Sequence, residues 1–324
     1  MRAWRLHELG QPATLEQAAR PVPGPGEALV RVCAAGLNFA DLLMAEGRYQ
    51  DRPALPFTPG LELAGRVEAL GPGTAGPALG SRVAAHVAGG AFADYAVVPV
   101  ARLLALPDGM PMTTAAGFQV GYGTAHLALT HAARLRPGET LFVTGAAGGA
   151  GLTAVEVGRD LGARVIAQVR GAEKAALVRA AGAEAVIDSA EPDLKAALRA
   201  LGGVDVVYDT VGGAGFDAAL RATRPGGRLL AIGFAGGEVP KVALNHLLVR
   251  NVSVIGFWWG GYLGFAPEAL TASLAALIRR WQAGALRPHI SQILPFEALP
   301  EGLALIRDRK ATGKIVLRID DQAE

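Results

Sequence analysis

The chain has 324 residues, 51 % of them hydrophobic, and a formal net charge of +2. That length exceeds one ordinary core and argues for two domains, while a near-neutral charge with its arginines spread along the chain excludes an electrostatic footprint for nucleic acid. A single cysteine, Cys33, excludes an intramolecular disulfide or a multi-cysteine metal cage.

No apolar run reaches bilayer length, and the start MRAWRLHELGQPATLEQ has no apolar signal-peptide core, so the expectation is a cytoplasmic protein without a membrane partner. The first hundred or so residues read as short strands bounded by glycine and proline: EALVRVCAAG (Glu27 to Gly36), ELAGRVEALGPG, GSRVAAHV and FADYAVVP. One helix interrupts them, NFADLLMAEG, with Asn38 as N-cap and Gly47 as stop. From about Gly121 strands and helices alternate. TLFVTG precedes a helix over Gly149 to Gly162, then come RVIAQV, the helix AEKAALVRAAG, AEAVID, a helix from near Glu191, VDVVYDTV, a helix from about Phe216, GRLLAIGF and VSVIGF. Six apolar strands spaced by amphipathic helices predict a parallel sheet covered on both faces. The fold class is therefore α/β, with a β-rich first domain over residues 1–118 and a doubly wound six-stranded domain over 119–257. The tail, 258–324, holds the helix PEALTASLAALIRRWQAG and the strand-like KIVLRI, is too short to fold alone, and is expected to rejoin the first domain.

The stretch TLFVTGAAGGAGLTAVEVG places a glycine-rich turn between the first of these strands and the first helix. A dinucleotide turn needs a tight bend, close backbone approach to the pyrophosphate, and close helix-to-strand packing. Gly148 and Gly151 meet the last two needs, and Ala146 is tolerable at the first if φ there is negative. Free N–H groups from Ala147 through Gly149, Ala150 and Gly151 would then face the phosphates; the alternative is a structural turn in a glycine-rich chain. Enzymes that choose NAD put a carboxylate at the end of the second strand. Here that strand ends AQVRGAEK, with Val169 at the position, and Arg170 and Lys174 could face an extra 2′-phosphate instead, which points to NADPH. The alternative is that both cations are solvated at a helix start.

GLNFADLLMAEGRY, PFTPGLELAGRVEALGPG, GFQVGYGTAHLAL, VTGAAGGAG, VYDTVGG and ATGKIVL together resemble the medium-chain dehydrogenase/reductase superfamily, and within it the zinc-free NADPH:quinone oxidoreductases. The resemblance covers nearly the whole chain. It implies a GroES-like catalytic domain built from both chain ends, a Rossmann domain, and an active site in the cleft between them. Matching the motifs of the zinc enzymes of this superfamily puts Asn38 or Phe39, Leu61 and Ala116 at the zinc-ligand places, and none binds zinc well. Glu62 survives from the family's His-Glu pair and cannot make a site alone. A metal-free enzyme is expected.

Without a Lewis acid, transfer between an alcohol and a ketone is disfavoured, and an electron-poor acceptor such as a quinone or enone needs less help. The resemblance puts Asn38 by the nicotinamide and substrate, where its amide could donate to the acceptor oxygen; helix capping is a compatible role. Asp41 is expected as a residue of the cleft wall. Tyr49 matches the proposed proton donor of related enoyl thioester reductases, and an aromatic wall for a planar acceptor is its other reading. Thr124, Gly233, Phe234 and Phe257 are carried over as cofactor contacts, and Lys310 as a basic position near the adenine-ribose phosphate. Phe257, with Phe39, Trp258 and Trp259, could also add apolar surface around the acceptor. In VIDS, Ser189 stands where the family often has tyrosine, which leaves Arg170 to compensate. VSVIGF should lie at a sheet edge, and such strands pair across a twofold axis in the family, so a homodimer is expected. The leading reading is an NADPH-dependent quinone reductase by hydride or electron transfer. Its rivals are an enone or enoyl thioester reductase using Tyr49 as acid, and an NADPH-binding protein without turnover.

Overall fold

In the computed structural model, which describes residues 1–320, the chain divides into two units. One is built from Met1–Val120 and the segment from Pro288 onward, and the other from Gly121–Arg287.

In the first unit β1 (Arg2–Arg5) and β2 (Thr14–Gln17) form an antiparallel pair. β3 (Glu27–Gly36) is buried along almost its whole length because it has neighbours on both edges. It pairs antiparallel with β4 (Glu62–Leu70), which in turn pairs with β5 (Arg82–His86). The first half of β3 also pairs with β6 (Tyr95–Pro99), and β7 (Leu103–Ala105) extends the sheet beyond β5. The apolar positions of these strands meet in one core that includes Val30, Val32, Leu63, Val83 and Phe92. Between β3 and β4 lies α1 (Phe39–Ala45), with Asn38 at its N-cap and Gly47 at φ +69° just past its end, as the helix signals require. α2 (Met112–Ala116) was not legible beforehand; it is five residues long and nearly all buried.

α3 (Gln119–Leu127) runs into the second unit, whose sheet contains β8 (Thr140–Val143), β9 (Arg164–Val169), β10 (Ala185–Asp188), β11 (Val204–Asp209), β12 (Thr223–Ala231) and β13 (Ser253–Gly256). All neighbours are parallel, in the order β10-β9-β8-β11-β12-β13. That is the doubly wound arrangement, with the reversal of strand order between β8 and β11. Its crossovers are α4 (Gly149–Asp160), α5 (Ala172–Ala181), α6 (Leu194–Ala200), α7 (Gly213–Ala222) and α8 (Leu244–Arg250). α8 escaped the sequence reading because Leu244, Leu248 and Val249 all face outward, which erases the one-sided apolar stripe by which a covering helix is found.

The boundary expected at residue 258 moves to 288. α9 (Tyr262–Phe265) and α10 (Pro267–Gln282) belong to the second unit, held there by specific contacts. His126 Nδ1 lies 2.8 Å from Ser273 Oγ, Arg280 pairs with Asp160, and Trp259 packs where a Cβ on Gly123 would stand. The chain then returns to the first unit with β14 (Ile290–Pro295), α11 (Leu299–Arg307) and β15 (Lys314–Arg318). β15 inserts beside the end of β3, with Val316 opposite Gly36. Among the described residues no helix is long and apolar enough to cross a membrane.

Candidate active site

The glycine turn follows β8 at the carboxyl end of the parallel sheet, which is where ligands bind in this architecture. The residue with positive φ is Gly145, at +58°, one place before the alanine that stands where the fingerprint has its first glycine. Ala146 itself avoids that region, so its methyl group costs nothing and is fully buried. Gly151 is enforced by packing: a Cβ there would strike Gly145 O and come within 2.7 Å of Ala146 Cα. Gly148 is different, because a Cβ would meet only Gly145 O at 3.4 Å. The protein's own atoms do not demand glycine at 148, and the space kept there lies at the start of α4, whose first N–H groups have no carbonyl of the preceding turn to bond. Such an opening beside unpaired N–H groups fits a pyrophosphate.

A network missed in the sequence holds this turn in shape. Thr144 Oγ1 donates to the fully buried Asp209 at 2.5 Å and accepts from Thr210 N at 3.0 Å, while Thr210 Oγ1 donates to Thr144 O at 2.9 Å. Asp209 also accepts from Gly212 N at 2.9 Å, and its carbonyl receives the N–H of Ile232 at 2.9 Å. One residue thus joins the loops after β8 and β11 through its side chain and the loop after β12 through its carbonyl. Burial raises the Asp209 carboxyl above its ordinary range, and the Thr144 hydroxyl with the Val211 and Gly212 N–H groups opposes the rise.

The expected cofactor contacts fall in several places. Thr124 is half-buried on α3, one turn from Gly121, where a Cβ would stand 3.3 Å from Gly149 O; it therefore lies on the face of α3 turned toward the start of α4. Gly233 and the exposed Phe234 follow β12. Phe257 is buried and packs on Tyr262, with ring centroids 5.3 Å apart. Trp259 is likewise buried, whereas Trp258 is partly exposed. Arg170 and Ser189 are exposed at the ends of β9 and β10, and Lys174 lies in the first turn of α5. Lys310 is an exposed residue of the first unit, after α11.

In the first unit the motif residues meet in a buried cluster around Glu62. Gly36 permits it, since a Cβ there would come within 2.7 Å of Glu62 Oε1. Lys314, 5 % exposed at the start of β15, donates from Nζ to Glu62 Oε1 at 2.6 Å, Asn38 Oδ1 at 2.7 Å and Leu37 O at 2.8 Å. Glu62, 1 % exposed, also accepts from Asn38 Nδ2 at 3.0 Å and from Val120 N at 3.0 Å. Lys314 can only donate, and a carboxylate can only accept, so the Asn38 amide has one permitted orientation. In this orientation Asn38 Nδ2 donates to Glu62 Oε1 and, at 3.4 Å, to Gly36 O. The ammonium partner of Glu62 is the residue that sequence reading missed. GKIVL is legible in the sequence as part of a strand and of a family motif, neither of which gives Lys314 a role.

Asp41 accepts from Asn38 N at 2.7 Å, so it closes the N-terminus of α1 as well as standing in the cluster. Burial lifts its carboxyl to about 7, with the Glu62 charge adding to the rise and the Asn38 N–H and Lys314 opposing it. Tyr49 is half-buried against the small core of Leu6, Met44, Phe57 and Leu61. Leu61 and Ala116, two of the places matched to zinc ligands, are buried apolar side chains. Among the described residues no group of three or more His, Cys, Asp or Glu could hold a metal ion.

A GroES-like sheet and a doubly wound sheet with a dinucleotide turn define the class as a two-unit nucleotide-dependent dehydrogenase or reductase. Family models agree with that division: one described as an alcohol dehydrogenase GroES-like domain matches residues 24–108, and one described as a zinc-binding dehydrogenase matches 149–278. The chain is 37 % identical over 323 residues to quinone oxidoreductase-like protein 2 of Mus musculus, covering 98 % of this chain and 92 % of that protein. Among solved structures it is similar to the quinone oxidoreductase of Thermus thermophilus, solved alone and with NADPH, at 38 % identity and a TM-score of 0.88 over 98 % of this chain and all of that one. The Escherichia coli quinone oxidoreductase complexed with NADPH aligns at 27 % identity and a TM-score of 0.92, again over 98 % and 100 % of the two chains. This chain belongs to the quinone oxidoreductase branch of the medium-chain dehydrogenase/reductase superfamily.

Proposed function

We propose that this protein is an NADPH-dependent reductase of quinones, or of similarly electron-poor acceptors, working without a bound metal. The observation that carries the reading is the turn Gly145–Gly151, where space is kept at Gly148 and helix N–H groups are unpaired. The two similar quinone oxidoreductases solved with NADPH support it. When bound, the carrier supplies a hydride equivalent from the nicotinamide, and the overall change is NADPH, a proton and a quinone giving NADP⁺ and a hydroquinone.

The N–H groups of Ala147, Gly149, Ala150 and Gly151 bind the pyrophosphate, with Thr124, Gly233 and Phe234 around it. Arg170, Lys174 and Ser189 meet the adenosine ribose and its phosphate, with Lys310 as a further cation. Asn38 orients the ligand through Oδ1, which Lys314 polarises. Its bond to Gly36 O is the longest of its contacts, so one Nδ2 hydrogen is the donor most readily turned to an acceptor oxygen. Tyr49 provides an aromatic wall, and Asp41 holds the Asn38 backbone. The metal-free reading is supported by the donor set: Glu62 is already bonded to an ammonium group. An electron-poor acceptor then takes hydride once it is held close and dry.

The test is equilibrium binding of NADPH followed by an anaerobic acceptor panel. NADPH should bind the natural chain and fail to bind Gly151→Ala, and quinones should be reduced faster than simple ketones. Failure of the natural chain to bind NADPH, or loss of quinone reduction on removing stoichiometric zinc, would overturn the reading.

A further inference from the structure

β9 and β10 are parallel neighbours with Val169 opposite Asp188, so their ends stand side by side at the carboxyl edge of the sheet. In doubly wound nucleotide-binding units the end of the second strand faces the adenosine ribose: a carboxylate there bonds the 2′-hydroxyl, and a cation there receives a 2′-phosphate. The second strand of this unit, β9, ends without a carboxylate and continues into Arg170. The third strand supplies one. Asp188 turns its carboxylate across to the β9–α5 turn, where Oδ2 accepts from Gly171 N at 3.2 Å, while Oδ1 accepts from Ala190 N at 2.8 Å. The Ala190 and Gly171 N–H groups hold this exposed carboxyl below the usual carboxylate range, and Arg170 adds to the effect. One wall of the nucleotide site therefore carries a fixed anion beside its cation. Arg170 alone would favour the phosphorylated carrier; an ionised neighbour at this spot repels a phosphate and offers an acceptor to a hydroxyl.

We propose that Asp188 is a specificity-determining residue of the nucleotide site, narrowing the preference for NADPH so that this chain also binds NADH. The proposal rests on the reading that the Gly145–Gly151 turn holds a dinucleotide.

Fluorescence titration of the intact protein with NADPH and with NADH gives both dissociation constants without turnover. Asp188→Asn keeps an oxygen for the Gly171 or Ala190 N–H and removes the charge. It should bind NADPH about fivefold more tightly and NADH about twofold more weakly, with the gap widening as salt is lowered. Arg170→Ala should weaken NADPH about tenfold and leave NADH within about twofold. A ratio unchanged in Asp188→Asn while Arg170→Ala shifts it overturns the role of Asp188 and leaves the dinucleotide reading standing. A ratio unchanged in both variants overturns the proposal by removing the phosphate from this wall. Failure of the natural chain to bind either carrier would sink the dinucleotide reading itself. Melting temperatures equal to that of the natural chain establish that each variant is folded.

Discussion

Replacing Lys314 by methionine isolates the energetics of the cluster beneath Asn38. Methionine keeps the length of the buried stem and removes three donated bonds, to Glu62, Asn38 and Leu37. The Glu62 carboxylate is left buried without its countercharge, a loss of about 3–5 kcal/mol for a broken buried pair. For a domain of this size each kcal/mol moves the melting temperature by about 2–4 °C, so the variant should melt about 10 °C lower. Removing both charges is the informative control. Glu62→Gln with Lys314→Met deletes the anion as well as the cation, and replacing both members of a buried pair is often close to neutral. The double variant should therefore recover at least half of the loss in scanning calorimetry. A drop under about 2 °C for Lys314→Met, or a double variant less stable than the two single losses added, refutes this account of the cluster.

Asp41 provides a pH test. Its folded value, about 7, lies above the unfolded one, so the folded state holds the proton more tightly; stability is full below about pH 4 and is lost as pH rises through 7, by about 4 kcal/mol at most. Asp41→Asn should flatten melting temperature against pH across that window, and equal slopes in the two proteins would refute the assignment. Tyr49→Phe should leave quinone turnover within about twofold; a loss of a hundredfold or more with enones alone would make the phenol an acid for those substrates, and the same loss with quinones would end the wall assignment. We further propose that β13, an open edge in the sheet of one copy, pairs with the same strand of a second copy. Light scattering at micromolar concentration should give twice the chain mass, and a single-chain mass removes the proposal.

The doubly wound unit was the most legible part of the chain because its signal is local. Apolar strands such as VDVVYD, each followed by a helix, show their period within one window. The dinucleotide turn was legible for the same reason, and the structure adds that Gly145 takes the strained φ, which frees the next residue to be alanine. The site in the first unit was only half legible. Asn38 and Glu62 sit in motifs, whereas Lys314 joins them from 252 residues beyond Glu62, and no periodicity links positions so far apart. Asp209 lies within VYDTVGG, but an acid in an apolar strand reveals its partners only when Thr144 and Thr210 are in place. The tail was divided at the wrong residue because α10 is amphipathic, and amphipathicity tells a helix to cover something without naming what.

The order in which residues leave the ribosome matters for this architecture. Gly121–Arg287 is one continuous stretch and can collapse as soon as it has been synthesised. The earlier-made unit cannot finish first: until β15 is translated, the last residues of β3 have β4 on one edge and lack their second neighbour, and Glu62 and Asp41 are without the Lys314 ammonium that shares their apolar surroundings. A nascent chain stalled before residue 314 would thus carry a competent nucleotide unit beside an open, acid-bearing sheet, and protease resistance should reach the N-terminal segment last.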